Sequence, residues 1–335
     1  MNYPPNIDPK KETAGITDFI KNTFNKTGKK HAVIAVSGGV DSATSLFLTT
    51  KALGPQNITC LFLPAKTTDP IHWEHVLRSC KIARIPQENI LTIPIGGIIQ
   101  KTWRAVKRHT SQKGGEVNKF VQSARTRQKA WQASHTKDTS HARSFADKQI
   151  SVDAASPSQV GAGIPNRRSI NAEFAQLNRL RLANIAARSR MIVIFDQAKL
   201  LDALVIGTEN QSEHLLGYYT RFGDEASDVE PIRHLYKTQV RQLAKFLKVP
   251  KEVIEKAPTA ELWAGQTDEA ELGFSYDEAD PILFLHYEQQ KSPKEIVKLL
   301  TNNTRSKTKE VEKLMKKVLG HCKQMSFKQN LPYTI

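Results

Sequence analysis

Ala32-Val33-Ile34-Ala35-Val36-Ser37-Gly38-Gly39-Val40-Asp41-Ser42 decides how the rest of the chain is read. An apolar run of strand length ends in Ser-Gly-Gly and reopens as a helix, which outlines a phosphate site. Two adjacent glycines let the backbone turn tightly and bring its N–H groups close to an anion. The helix that follows adds its unpaired N-terminal amides and positive dipole end. Asp41 stands inside that turn, where a carboxylate would repel phosphate unless a divalent cation lay between them, so Mg²⁺ is expected. No Gly-Lys-Ser/Thr follows at P-loop spacing, which argues against a kinase or GTPase.

Working outward, residues 10–26 carry Ile16, Phe19, Ile20 and Thr23 at helical spacing and read as an amphipathic helix leading into a strand over 31–36. Ser42 to Leu53 reads as a helix stopped by Gly54-Pro55. The continuous apolar run 58–63, ended by Pro64, has the character of a strand buried on both faces. A helix over about 71–83 and a third strand over 90–93 follow. Strands alternating with helices predict an α/β fold: a doubly wound parallel sheet with helices on both faces, whose ligands bind beyond the C-terminal strand ends.

A chain of 335 residues can bury a sizeable core, and its 39% hydrophobic content contains no apolar run long enough to span a membrane. Met1-Asn2-Tyr3-Pro4-Pro5 has neither the basic nor the apolar region of a signal peptide, so a cytoplasmic location is expected. Cys60, Cys80 and Cys322 lie far apart and suggest buried thiols rather than a zinc site or disulfides. The net charge of +16 is uneven: Lys101 to Arg168 holds 14 Lys/Arg against four acids, a surplus of +10. Between about residues 100 and 177 the periodicity dissolves into Lys, Arg, Ser, Gln, Thr and Ala, with Trp103, Phe120, Trp131 and Phe145 as the large aromatics. That is too little apolar material for a core of its own. The segment is expected to be a solvated insertion within one domain spanning 1–335. A nucleic-acid contact is the alternative reading, and it is confined to this segment.

Order returns with a helix over 182–195. Arg188 lies three after Ile185 and four before Ile192 and is placed with them on an apolar sector, Arg190 pointing away. A guanidinium there needs an anion, either a buried carboxylate or a ligand. Ala203 to Ile206 reads as a fourth buried strand, ending in Gly207-Thr208-Glu209-Asn210. Residues 217–228 and 258–273 read as long polar loops. Between them a helix over 236–247 begins with Lys237, a cation that opposes the helix dipole and so serves some other purpose. Two helices close the chain, one opened by Ser292-Pro293.

Ser37-Gly38-Gly39-Val40-Asp41-Ser42 resembles the SGGxDS motif of the PP-loop ATP pyrophosphatases, which hold the β,γ-phosphates of ATP and release pyrophosphate. Together with Asn184 to Met191, Gly207 to Thr238 and Pro258 to Asp280, it resembles one family of that group, the ammonia-dependent NAD⁺ synthetases. The match covers 10–95 and 178–330 in the family's order. The resemblance implies ATP-dependent amidation of nicotinic acid adenine dinucleotide (deamido-NAD⁺) by ammonia through an acyl-adenylate, giving NAD⁺, AMP and pyrophosphate. By matching positions it implies Asp41 and Glu213 as Mg²⁺ ligands, with Asp41 and Lys237 as catalytic groups. Ser37, Gly38, Gly39, Asp41, Ser42, Thr208, Lys237 and Thr259 become ATP contacts, and Arg188, Arg221, Asp228 and Lys328 contacts to deamido-NAD⁺. A homodimer is implied as well. Two positions depart from the pattern: Arg221 stands where many bacterial members carry Lys, and Phe327 precedes Lys328 where His-Lys is usual. About 30 residues precede the first strand, so no glutaminase-like domain is expected and ammonia is the expected nitrogen donor, unless a separate subunit supplies it. The rival reading is a tRNA-modifying PP-loop enzyme that adenylates a base. The 207–238 and 258–280 segments argue against it, and no reactive cysteine pair is present for thiolation.

Overall fold

Ala32 and Ile34 of strand β1 (His31–Ala35) face one side of a sheet and Val33 the other, and all three are fully buried. A strand apolar on both faces has to be covered on both, which places it inside the sheet. The structure is a computed structural model that describes residues 3–112, 167–259, 266–303, 308–329 and 332. The centre of the basic segment, with Phe120, Trp131 and Phe145, lies outside the described residues. Strands β2 (Ile58–Phe62), β3 (Ile90–Thr92) and β4 (Ala203–Ile206) join β1 in the order β3-β2-β1-β4, all parallel. Ile34 pairs with Cys60 on one side and with Ile206 on the other. The chain moves outward from β1 to β3 and returns to the opposite side for β4. This makes the carboxyl ends of β1 and β4 the switch point, where open α/β sheets take their ligands.

One face is covered by Ile16, Ile20 and Phe24 of α1 (Pro9–Thr27), Leu46 of α2 (Val40–Leu53) and Val76 of α3 (Ile71–Ile82). On the other face Ile95 and Ile99, at the start of α4 (Gly96–Gln112), and Ala186, Val193 and Ala198 of α5 (Arg167–Leu200) pack on Val33, Leu61 and Val205. The expected parallel sheet with helices on both faces is the observed architecture. After β4 come α6 (Gln211–Leu216), α7 (Lys237–Phe246), α8 (Lys251–Glu255), α9 (Asp268–Leu272), α10 (Tyr276–Leu283), α11 (Pro293–Asn303) and α12 (Thr308–Met325). Val240 and Leu243 of α7 join the first face, while α6 and α9–α12 build a further core around Leu216, Tyr276, Leu283 and Val318. Residues Met1–Ile99 with Leu182–Ile335 form one compact unit and Gln100–Arg181 a second. Among the described residues no helix is long and apolar enough to cross a membrane.

Helix α4 runs on to Gln112, into the segment where periodicity dissolves, with Ile95 and Ile99 anchoring its start while Lys101 and Arg104 face outward. Two expectations are corrected. The inner side of α5 is Ala183, Ala186, Ala187, Val193 and Ala198, whereas Ile192 is 57% exposed and Arg188 is exposed too. Arg190, not Arg188, turns toward the sheet, and its Nε donates to the Leu63 carbonyl at 3.3 Å. Alanines let a helix approach a sheet closely, so small residues mark the inner face here rather than the large Ile192. Asp268 to Leu272 is helical, not loop: the Thr267 hydroxyl caps it and Gly273 ends it at φ 71°, framing a single turn of helix.

Candidate active site

Residues Ser37 to Gly39 turn the chain from β1 into α2. Gly38 takes φ 81°, and a Cβ added there would lie 2.9 Å from the His72 carbonyl oxygen, so only glycine fits. The Ser42 hydroxyl, 3.1 Å from that of Ser37, accepts from the Ser37 N–H at 3.2 Å and donates to the Gly39 carbonyl at 3.1 Å. The two serines thus tie the turn from within. Gly39 stands at the N-cap of α2 with no side chain capping the helix, which leaves the first amides facing outward.

Across the switch point, the chain leaving β4 enters α6 through a capping box. The Asn210 side chain accepts from the Glu213 N–H at 3.0 Å, and its Nδ2 donates to Asp41 at 3.0 Å. One asparagine thereby fixes Glu213 and Asp41 together. Lys237 completes the group: its Nζ lies 2.5 Å from Asp41 and 3.0 Å from Glu213, and its side chain is 3% exposed. Burial alone would lower the Lys237 pKa, but Asp41 and Glu213 hold it well above the ordinary value. Burial raises the Glu213 carboxyl and Lys237 opposes that rise. A lysine in the first turn of α7 is thus explained by a buried ion pair strong enough to outweigh the unfavourable helix dipole.

The backbone beneath this group is held from α10. Asp280 is fully buried and accepts from the Ser212 hydroxyl at 2.6 Å and from the Thr238 N–H and hydroxyl at 2.9 and 2.8 Å. Ser212 in turn accepts from the Lys237 N–H at 2.9 Å. Asp268, 4% exposed, accepts from the Tyr276 hydroxyl at 3.1 Å and acts electrostatically on both Lys237 and Glu213. Its Oδ1 is buried with no hydrogen-bond partner among the described residues. Three carboxylates facing one ammonium leave surplus negative charge, a donor set suited to a divalent cation. Among the described residues no three ligating side chains form a ready-made cage. Mg²⁺ suits such a site, since it uses one or two carboxylates and takes its remaining ligands from phosphate and water.

Of the other expected site residues, Arg188, Arg221 and Lys328 meet around the start of the 217–228 loop, while Asp228, Thr208 and Thr259 are placed singly. Arg188 donates from Nε to the Arg221 carbonyl at 3.2 Å, and the Arg221 guanidinium lies 5.1 Å from the Phe327 ring. Lys328 donates to the carbonyls of Gly217 and Tyr219 at 2.6 and 2.8 Å. Its ammonium therefore pins the C-terminal end of α6 and the start of the 217–228 loop. Asp228 lies along β4, where it accepts from the Val205 N–H at 2.8 Å. Thr208 is half-buried just past β4, and Thr259 is half-buried directly before the undescribed 260–265.

The NAD synthase family model matches residues 12–141 and 130–326. The chain belongs to the NAD synthase family. It is 34% identical over 292 residues, 87% of this chain and 81% of the relative, to a protein of Trichlorobacter lovleyi named NH(3)-dependent NAD(+) synthetase. It is 32% identical over 325 residues, 96% and 89% of the two chains, to one of the same name from Methanopyrus kandleri. The solved NMN synthetase of Francisella tularensis superposes with TM-score 0.63 at 24% identity over 98% of this chain and 99% of its own. That of the NH3-dependent NAD synthetase of Campylobacter jejuni gives 0.59 at 24% over 98% and 100%. These two likenesses speak to the fold. As a NAD synthase family member the chain is a ligase that forms a C–N bond and uses ATP. The two positions that the sequence reading set apart from the family pattern meet in the structure: the phenyl ring of Phe327 supplies the face on which Arg221 rests.

Sequence reasoning passed over several groups in this NAD synthase fold. Asp280 left a signal, an acid beside Ala279 and Ile282-Leu283 in an otherwise apolar stripe. Glu209, 5% exposed, pairs with Arg233 at 2.7 Å, and Arg233 also reaches His214 Nδ1 at 2.6 Å. Burial drives the Glu209 carboxyl up to about 9, and burial with the Arg233 charge drives His214 down to about 4. Nothing local in the sequence joins these three.

Proposed function

We propose that the chain amidates deamido-NAD⁺ with ammonia through an acyl-adenylate. Asp41, Lys237 and Glu213 gathered at the Ser37–Gly39 turn are the observation that carries this reading. A carboxylate is a poor acyl donor because its leaving group would be oxide. In the first step a carboxylate oxygen of deamido-NAD⁺ attacks the α-phosphorus of ATP, the bond to the bridging oxygen breaks, and pyrophosphate leaves with the electron pair. Ammonia then attacks the acyl carbon, loses a proton to solvent and expels AMP, leaving NAD⁺.

In this reading Ser37, Gly38, Gly39, Ser42 and the first amides of α2 hold the β,γ-phosphates, and Thr208 and Thr259 contact ATP. Lys237 exchanges its carboxylate partners for phosphate oxygens and offsets the charge growing on the leaving group. Asp41 and Glu213 hold Mg²⁺, which neutralises phosphate charge. Arg188, Arg221 and Asp228 bind deamido-NAD⁺. Lys328 serves it by shaping the 217–228 loop that carries Arg221. The surface location of Arg188 supports a dinucleotide bound at the outside of the sheet, as a homodimer with the ligand at its interface requires. The test is incubation of the purified chain with ATP, Mg²⁺, ammonium and deamido-NAD⁺, with nicotinic acid mononucleotide as the competing acceptor. NAD⁺, AMP and pyrophosphate should form together from the dinucleotide, and Asp41→Ala should abolish all three. Release of ADP, or equal products from Asp41→Ala, contradicts the assignment.

A further inference from the structure

Arg233 ties the two ends of α6 together from the side. Its Nη1 donates to Glu209 at 2.7 Å, directly before the Asn210 cap, and its Nη2 lies 2.6 Å from Nδ1 of His214 in the last turn. A guanidinium has donors only, so that nitrogen accepts and the His214 imidazole is neutral. Burial and the Arg233 charge favour the same form. Glu209 is fixed in turn from the segment that carries Arg233: its N–H donates to Glu230 at 3.2 Å, and Glu230 accepts from the Ser227 hydroxyl at 2.6 Å. A helix of six residues is too short to hold its own geometry, so side contacts of this kind set its position.

From the end of α6 the contacts run on into the 217–228 loop. The His214 and Tyr219 rings stack with their planes 10° apart and their centroids 6.4 Å apart, and the Lys328 ammonium stands 5.2 Å from the Tyr219 ring. The next residue, Thr220, donates from its hydroxyl to Asn184 of α5 and from its N–H to Asp224, both at 2.9 Å. Arg221 follows directly on this packed start. We propose that Arg233 is a positioning residue for dinucleotide binding, acting through His214 and Tyr219 to set the start of the 217–228 loop and with it the place of Arg221. The proposal rests on the reading of Arg221 as a deamido-NAD⁺ contact. Two donors in a fixed fork suit the task, since one group holds the strand exit and the helix end at a set separation. Glu213 is held independently by the Asn210 capping box, so loss of the brace acts on the loop more than on the metal group.

His214→Phe in the full chain tests this, because it keeps a flat ring on Tyr219 and removes the acceptor for Arg233. The KM for deamido-NAD⁺ should rise about fivefold or more, while the KM for ATP stays near the wild-type value. Arg233 is 32% exposed, so water can take up the freed donor and the melting temperature should hold. Arg233→Met should raise the same KM and also lower the melting temperature, since it strands Glu209 in a buried site. Arg233→Lys should recover part of both. Adding His214→Phe to Arg233→Met should raise the KM no further, because the two side chains act through one contact. Trypsin reads the loop without turnover: Arg221 is the only Lys or Arg in 217–228, and cleavage after it, followed by mass spectrometry, should be faster in His214→Phe than in the wild type. Wild-type KM and wild-type cleavage in His214→Phe overturn the proposal and leave the amidation reading standing, as does an equal rise in both KM values. Faster cleavage with an unchanged KM keeps Arg233 as the brace of the loop and overturns Arg221 as a deamido-NAD⁺ contact. If the wild type forms no NAD⁺, the amidation reading falls, and the cleavage rates still decide whether Arg233 holds the loop.

Discussion

Lys237 is a buried cation whose loss would leave Asp41, Glu213 and Asp268 facing one another. Lys237→Met should therefore destabilise the metal-free chain by about 3–5 kcal/mol in urea unfolding. Millimolar Mg²⁺ should return part of that to the variant and little to the wild type. Unfolding curves that coincide with and without Lys237 would contradict the ion pair. Glu230 provides a test in pH. Burial raises its carboxyl to about 7 from an ordinary 4.5, with the Ser227 hydroxyl, Arg233 and the Glu209 N–H opposing. A raised folded pKa gives stability that is complete below 4.5 and lost as pH rises through about 7. The wild type should lose melting temperature relative to Glu230→Gln across that window; parallel curves would count against the burial of Glu230.

Elements were legible in the sequence where their signals are local. The 32–42 stretch carries strand, turn and helix start in eleven consecutive residues, and β1 and α2 lie where it places them. The face of α5 was not legible, because alanines rather than Ile192 mark its buried side. Nor was the joining of α7 to α2 through Lys237 and Asp41, since the two residues stand 196 positions apart and only the parallel sheet brings them together. What fixes α7 in place is Asp280 of α10. Asp280→Ala strands the Ser212 and Thr238 donors in a buried site and should cost about 3 kcal/mol in urea unfolding. Asp280→Asn, which keeps an acceptor oxygen, should cost less. Equal stability of the alanine variant and the wild type would mean that α10 does not hold α7.

For the whole molecule, the residues to which the proposed function gives the chemistry stand on both sides of the basic segment in sequence, Asp41 before it and Glu213 and Lys237 after it, and they form ion pairs with one another. If that segment is a solvated insertion, replacing residues 113–166 by a short Gly/Ser linker should leave kcat/KM for ATP and deamido-NAD⁺ nearly unchanged. Shortening a surface loop alters closure entropy by only about 1 kcal/mol. Salt-sensitive retention of RNA or DNA by the full chain, lost on replacement, would instead assign the segment to nucleic acid. Its role was not legible because basic, weakly apolar sequence suits a solvated surface and a polyanion contact equally. The phosphate turn was legible, through the glycines and Asp41 of one short stretch. The central claim is that the substrate carboxylate itself attacks ATP, and isotope transfer tests it most directly. With deamido-NAD⁺ labelled by ¹⁸O in its carboxylate, mass spectrometry of the products should find one ¹⁸O in AMP, one in the NAD⁺ amide and none in pyrophosphate; AMP free of label would contradict the acyl-adenylate.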